Sequence, residues 1–358
     1  MKPQSFLPKD LEFSHEFCFF LHDQLVETLK SAEEAKVFDV RVQLHSVAEG
    51  SRLDNLSSEE MLKWMEQNGY GTEVKLLYYK QICAALLSDF LHFVYEALQC
   101  SRKGKLTVTY ALLRKPLKDN LFLLEWLLAR PKDFLIRFEG ETPKRFKMDS
   151  QISADEQVLI IGEAVALTSY GSAFPAEFLH ELRFRKDSPI GMEPAWQKAN
   201  HLVTSFRFLQ TEACNFNFVF SDDDARRSQW EGLYLILPIL LFHAVQVVEA
   251  LFANFARRKD SALDLIPLRT VAGLLLWMKE PPVFAESNEG EEMLLSQLTA
   301  AELICPNCNQ AVVWDSKNLL NLYKEASVFC PRNCGEISPS SGPDESDYIA
   351  PNPPPPGV

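Results

Sequence analysis

The sequence predicts a mainly α-helical protein that carries a small four-cysteine module near its C-terminus. Three observations support this. Two long stretches, 76–99 and 233–255, are apolar almost all round, and each leaves a single polar stripe. That pattern belongs to helices at the centre of a bundle. Helix-start signals also recur, with Ser57 and Ser58 ahead of Glu59 and Glu60, and Asp222, Asp223 and Asp224 ahead of "ARRSQW". Finally, four of the eight cysteines fall into two close pairs, Cys305 with Cys308 and Cys330 with Cys334.

Taken in chain order, residues 10–36 form an aromatic-rich helix, and "NLSSEEMLKWMEQ" forms a second that "NGYG" at 68–71 ends. The central helix 76–99 follows, with His92 on its polar stripe read as a hydrogen-bonded core residue. After "SRKGK", the segment "LTVTYALLRKPLKDNLFLLEWLLARP" is helical, and Pro116 is expected to kink or split it. Residues 132–192 are less regular and read as further helix. "EPAWQKANHLVTSFRFLQTEACNF" is expected to be one amphipathic helix, with Trp196, Ala199, Val203, Phe206 and Leu209 on its apolar side and a solvated His201 opposite. The next helix spans 225–258, kinks at Pro238 and ends on "RRKD".

The domain organisation expected is a helical body over 1–280, divisible near residue 150 into subdomains of about 1–150 and 151–280. An acidic linker over 281–295, the cysteine module over 296–336 and an unstructured Pro-rich tail over 337–358 follow. Stretch 233–255 is long enough to span a bilayer, but His243, Gln246, Glu249 and Asn254 line one side of it. It therefore reads as a buried helix rather than a membrane insertion. The scattered Cys18, Cys83, Cys100 and Cys214 read as small apolar residues, and together with the lack of a visible signal peptide they place the protein in a reducing cytoplasm.

The cysteines carry the one specific chemical signal. The spacing is Cys-x2-Cys, 21 residues, then Cys-x3-Cys. Thiolates two to four residues apart reach one tetrahedral ion, and four sulfurs favour zinc or iron. Pro306 and Pro331 stiffen the two knuckles, while Asn309 and Gly335 suit the left-handed backbone that closes them. "AVVWDS" and "ASVFC" read as short strands around a helical excursion, "KNLLNLYKEA". The alternative is an unmetallated or disulfide-paired set. Over these 40 or so residues the module resembles a zinc ribbon, with one extra residue between Cys330 and Cys334. The expectation is a structural Zn2+ held by Cys305, Cys308, Cys330 and Cys334, in a closed shell without a catalytic position.

No nucleotide-binding loop, Gly-x-Gly-x-x-Gly stretch or His-Glu-x-x-His pair is present. "HELRF" at 180–184 lacks a second histidine, and His22 with Asp23 has no visible companion. Asp222 to Asp224 offer a cation site or a helix cap, and the helix that follows them favours the cap. In the body, "TYALLRKPLKDNLFLLEWLL" and "WQKANHLVTSF" look like the paired core helices of HEPN-like domains found in prokaryotic toxins and antiviral defence proteins. That resemblance implies a helical fold and a defence context. The family's nuclease motif, arginine and then histidine after four to six residues, has no counterpart here, since Arg41 and His45 are only three residues apart. RNase activity therefore does not carry over.

The net charge is −13, which argues against a general nucleic-acid coat. Segment 102–147 nevertheless holds twelve Lys or Arg against five Asp or Glu, among them Arg102, Lys103, Lys105, Lys144, Arg145 and Lys147. The leading expectation is a non-catalytic interaction or regulatory protein with a protein partner, as a component of a defence system. The alternatives are a nucleic-acid-binding factor that uses segment 102–147, or a helical nuclease with an unrecognised site.

Overall fold

The structure, a computed structural model, describes residues 5–139, 152–169, 173–258 (except 206, 208, 215 and 218–221), 265–280, 288–338 and 348–351. It is mainly α, as expected. α1 (Glu12–Glu34) packs on α4 (Gly71–Arg102) and α11 (Asp223–Ala253), and its Phe17, Cys18, Leu21 and Leu25 are buried. Two short helices, α2 (Val47–Leu53) and α3 (Ser58–Gln67), precede α4. Ser57 caps α3 in a reciprocal box: its hydroxyl accepts from the Glu60 N–H, and the Glu60 carboxylate accepts from the Ser57 N–H at 2.9 Å. In α4 the Lys80 side chain is buried, and its ammonium donates to the carbonyls of Val37 (2.6 Å) and Asp39 (3.1 Å), which pins the α1–α2 connection. His92 is exposed rather than in the core, because it sits on the outward stripe of that helix.

α5 (Leu106–Arg114) and α6 (Leu121–Ala129) are joined by a π-helical turn over Lys115–Asn120 that contains Pro116. The wider turn accommodates a residue without an N–H, so the chain bulges there and does not split. The irregular stretch is helical, as α7 (Pro131–Glu139), α8 (Ala154–Ala166) and α9 (Ala176–Phe184).

Helix α10 covers only Glu193–Asn200, shorter than the amphipathic helix expected to about 216. His201 is already extended, and the chain turns back on itself through Thr204 and Thr211. The Thr211 N–H donates to the Thr204 carbonyl (2.9 Å), and the Thr204 N–H donates to the Thr211 hydroxyl (2.8 Å). Threonine oxygens that compete for backbone partners end helices in this way. Val203, expected on the apolar side, is 57% exposed, His201 is solvated as expected, and Phe206 lies outside the described residues. Cys214 is also exposed, in this turn region and not in a helix.

Asp222 caps α11, accepting from the Ala225 N–H at 2.7 Å, so the aspartate run acts as a helix start. α11 runs through Pro238 unbroken, and its residues 236–248 are all buried. It ends at Ala253, five residues before the expected end. Ala256–Arg258 (β1) instead pairs antiparallel with Tyr348–Pro351 (β4), so the stretch expected to be an unstructured tail contributes a strand. Asn288–Ala300 is helix (α13), which takes up part of the expected acidic linker, and residues 281–287 lie outside the described residues. Among the described residues, α4 and α11 are long and apolar enough to cross a membrane, but the apolar window of α11 is 83% buried inside the bundle.

Candidate metal centre

The cysteine module is built on α14 (Ser316–Glu325), with β2 (Val328–Phe329) and β3 (Glu336–Ile337) pairing antiparallel beside it. Of the expected "AVVWDS" strand only an Ile304–Ala311 bridge forms. The helical excursion is present, capped by Asp315, which accepts from the Asn318 N–H at 2.8 Å.

The buried Asn318 side chain joins the two halves of the module. Its amide donates to the Val313 carbonyl (2.7 Å), and its oxygen accepts from the Phe329 N–H (2.7 Å). The first knuckle closes with the Cys305 N–H on the Gln310 carbonyl and the Asn309 N–H on the Cys305 carbonyl, both 2.9 Å. Asn309 has φ +55°, as its position requires. In the second knuckle the extra residue is absorbed by two left-handed positions, Asn333 (φ +54°) and Gly335 (φ +121°).

The four sulfur atoms lie within 4.8 Å of one another, and those of Cys308 and Cys330 are 3.4 Å apart. A tetrahedral ion with sulfur ligands at about 2.3 Å needs sulfurs about 3.8 Å apart, so the set matches a four-thiolate shell. All four cysteines are free thiols. Cys305 and Cys330 are buried, Cys308 is half-buried and Cys334 is exposed, which puts the centre at an edge of the molecule. Desolvation pushes the Cys330 thiol up, but the backbone N–H groups of Cys334 and Arg332 and the neighbouring sulfurs outweigh it, bringing the thiol down to about 6. The same neighbours push Cys334 up to about 12. The Cys330 thiolate therefore forms readily while Cys308 and Cys334 resist ionisation, a conflict that a cation at the centre relieves.

The module is not an isolated appendage. Leu319, Leu322, Tyr323 and Val328 belong to the same apolar core as the body. The Tyr323 ring lies 5.6 Å from Phe13, 6.1 Å from Phe17 and 5.0 Å from Phe20, all on α1. Arg269, on α12 (Leu265–Met278), donates from Nε (3.1 Å) and Nη2 (2.9 Å) to the Tyr323 carbonyl. α12 approaches this closely because position 273 is glycine, where a Cβ would stand 2.6 Å from the Phe17 ring and 3.0 Å from Tyr323.

Among the described residues the basic segment forms no comparable assembly. Five of its cations are ion-paired: Arg114 with Asp119, Lys115 with Asp89, Lys118 with Glu193, Arg130 with Glu163, and Arg137 with Asp133 and Glu156. Arg102, Lys103 and Lys105 lie around the end of α4, while Lys144, Arg145 and Lys147 lie outside the described residues.

Sequence reasoning missed a buried charge cluster. Glu125 on α6 accepts from the Arg183 guanidinium on α9 and from His243 Nε2 on α11 (2.6 Å). Burial raises the Glu125 carboxyl, but Arg183 and His243 more than offset it and hold it below the usual range. Nearby, His180 Nε2 meets Gln157 at 3.0 Å. The "HELRF" histidine and arginine therefore both have buried partners, and His243 on the polar stripe of α11 faces this charge rather than solvent. His22, the other histidine flagged in the sequence, bonds Asp23 (2.9 Å) and the Leu91 carbonyl (3.2 Å).

No family model matches the chain, and neither the curated proteins nor the solved structures provide a match. The four-thiol set is thus the strongest functional statement that the molecule makes.

Proposed function

We propose that the protein is a non-catalytic interaction or regulatory component whose C-terminal module is held by one structural zinc ion on Cys305, Cys308, Cys330 and Cys334. The observation that carries this reading is the closed set of four free thiols, mutually within 4.8 Å, on a module that shares the core of the body. When bound, zinc supplies folding energy and no open coordination position. The chain's own residues do the rest: Asn318 joins the two knuckle-bearing segments, and Tyr323 and Arg269 fasten them to α1 and α12.

Two further features support a binding role over a catalytic one. The buried Glu125–Arg183–His243 cluster is sealed from solvent. Exposed apolar side chains sit on the outer helices instead, with Ile136 and Phe138 on α7 and Leu159 on α8. Where such groups form a contiguous patch, they offer a surface on which another protein can dock.

The test is elemental analysis of freshly purified full-length protein, combined with incubation on labelled RNA and DNA. One zinc per chain, lost in Cys305→Ser, and no turnover are expected. An iron cluster, or four titratable thiols without metal, overturns the zinc assignment. Turnover of either nucleic acid overturns the non-catalytic reading.

A further inference from the structure

The four sulfurs of the metal centre are not equally reachable. Cys305 and Cys330 are 1% and 4% exposed, Cys308 is half-buried, and Cys334 is exposed. The rest of the second knuckle lies open too, since Pro331, Arg332, Asn333 and Gly335 are all exposed. Coordination keeps each sulfur as a thiolate. The thiolate is the form that reacts with oxidants, and access decides which of several thiolates does so. Cys214 provides an internal contrast. It is exposed as well, but it lies outside the four-thiol set, so no metal holds it as a thiolate.

We propose that the centre is a peroxide-sensitive switch in which Cys334 is the group that reacts, a proposal that rests on the zinc reading given above. The Cys334 thiolate attacks one oxygen of hydrogen peroxide and the O–O bond breaks. With one proton taken up, the products are a sulfenic acid and water. The other three sulfurs lie within 4.8 Å of Cys334, and Cys308 is the most exposed of them. Its thiolate attacks the Cys334 sulfur, the S–O bond breaks, and a second proton carries the oxygen away as water. Two thiolates, one peroxide and two protons thus give one disulfide and two waters. The sulfurs lose two electrons and the peroxide gains them. Zinc binding needs thiolates, so the shell loses two of its four donors and the ion is released.

The release reaches the body through α14. Phe329, next to Cys330, donates its N–H to Asn318, which lies one turn ahead of Leu322 and Tyr323. Those two side chains belong to the core of the body, with Tyr323 set against Phe13, Phe17 and Phe20. A module this small draws much of its folding energy from its metal, so loss of the ion loosens that docking face and uncovers aromatic surface.

The test uses full-length protein as purified, with its zinc measured before any oxidant is added. Hydrogen peroxide is then added in steps. A chromogenic dye follows zinc release, and differential alkylation with mass spectrometry maps each cysteine. Expected are loss of the bound zinc, a Cys308–Cys334 disulfide formed before Cys214 is oxidised, new binding of an apolar dye, and recovery after reduction with added zinc. Cys334→His keeps a zinc ligand in place and removes the exposed sulfur, so release should slow about tenfold or more. Cys214→Ser should release zinc at the wild-type rate. The mapping on the unaltered protein decides the matter even if Cys334→His loses its metal. Absence of zinc before the oxidant overturns the zinc reading and this proposal with it. Four results overturn the switch alone: zinc retained after Cys214 is oxidised, a first disulfide that leaves Cys334 out, release from Cys334→His as fast as from wild type, or dye binding unchanged after zinc is lost.

Discussion

The guanidinium of Arg183 lies 2.7 and 2.9 Å from the two carboxylate oxygens of Glu125, and neither side chain has any solvent exposure. The pair ties α9 to α6, and His243 brings in α11 through the same carboxylate. Removing one partner leaves the other charge buried without its counter-charge, although Glu125 keeps His243 and Arg183 keeps the Leu179 carbonyl. Arg183→Met and Glu125→Leu should therefore each destabilise the protein by about 3–5 kcal/mol. Replacing both residues together should cost clearly less than the sum. Urea unfolding of the two single variants and the double variant measures the coupling. A purely additive cycle would show that the pair does not act as a unit.

Two buried histidines set an acid limit. Desolvation holds His15 and His180 down to about 4, against an ordinary value of 6.5. The unfolded chain therefore takes up protons that the folded protein refuses. Stability is complete above pH 6.5 and falls as the pH drops towards 4, with a slope approaching two protons per molecule. Denaturation midpoints measured between pH 7.5 and 4 test this, and His180→Gln should remove about one proton from the slope. A flat profile over that range would contradict the burial of both rings.

Asn318 should matter to metal retention although it is not a ligand. Asn318→Ala removes the bridge between the Val313 and Phe329 backbones and leaves buried groups without partners. A loss of about 1–3 kcal/mol is expected, with faster release of metal to a chelator. Asn318→Asp separates shape from hydrogen bonding, since it keeps the acceptor to the Phe329 N–H and loses the donor. Chelator competition monitored with a chromogenic zinc dye reads both variants.

Gly273→Ala tests how tightly the module is docked. The added Cβ would meet the Phe17 ring at 2.6 Å, within van der Waals contact, so α12 or α1 must shift. Overpacking of this kind costs about 1–3 kcal/mol. Because Tyr323 flanks the same spot, the thermal unfolding of body and module should fall together. If the melting temperature stays unchanged, the close approach at Gly273 does not hold the two parts together.

Much of this was legible in the sequence wherever the signal is local. Ser57 and Asp222 announce helix starts because a cap acts within three residues, and the two cysteine pairs show their geometry by spacing alone. Asn309 and Gly335 could be placed for the same reason, since left-handed backbone favours few residue types. Features that depend on distant partners were not legible. Glu125 meets Arg183 across 58 positions and His243 across 118, and nothing near any of the three marks the pairing. His92 and His243 look alike in sequence, each a lone histidine in an apolar helix, yet one faces solvent and the other the core. Helix ends governed by competing side chains were misplaced as well. The Thr204–Thr211 turn stops α10, and the β1–β4 pairing stops short the helix expected to reach 258.

The docking of Tyr323 against Phe13, Phe17 and Phe20 has a consequence for how the protein is made. The aromatic face of α1 leaves the ribosome about 300 residues before Tyr323, one of its covers. At ordinary rates of synthesis that interval is on the order of 15–60 s. During it, three phenylalanines on one helix lack the ring that closes over them. The newborn chain therefore has a built-in waiting period, in which a holding chaperone is better matched to its needs than rapid folding.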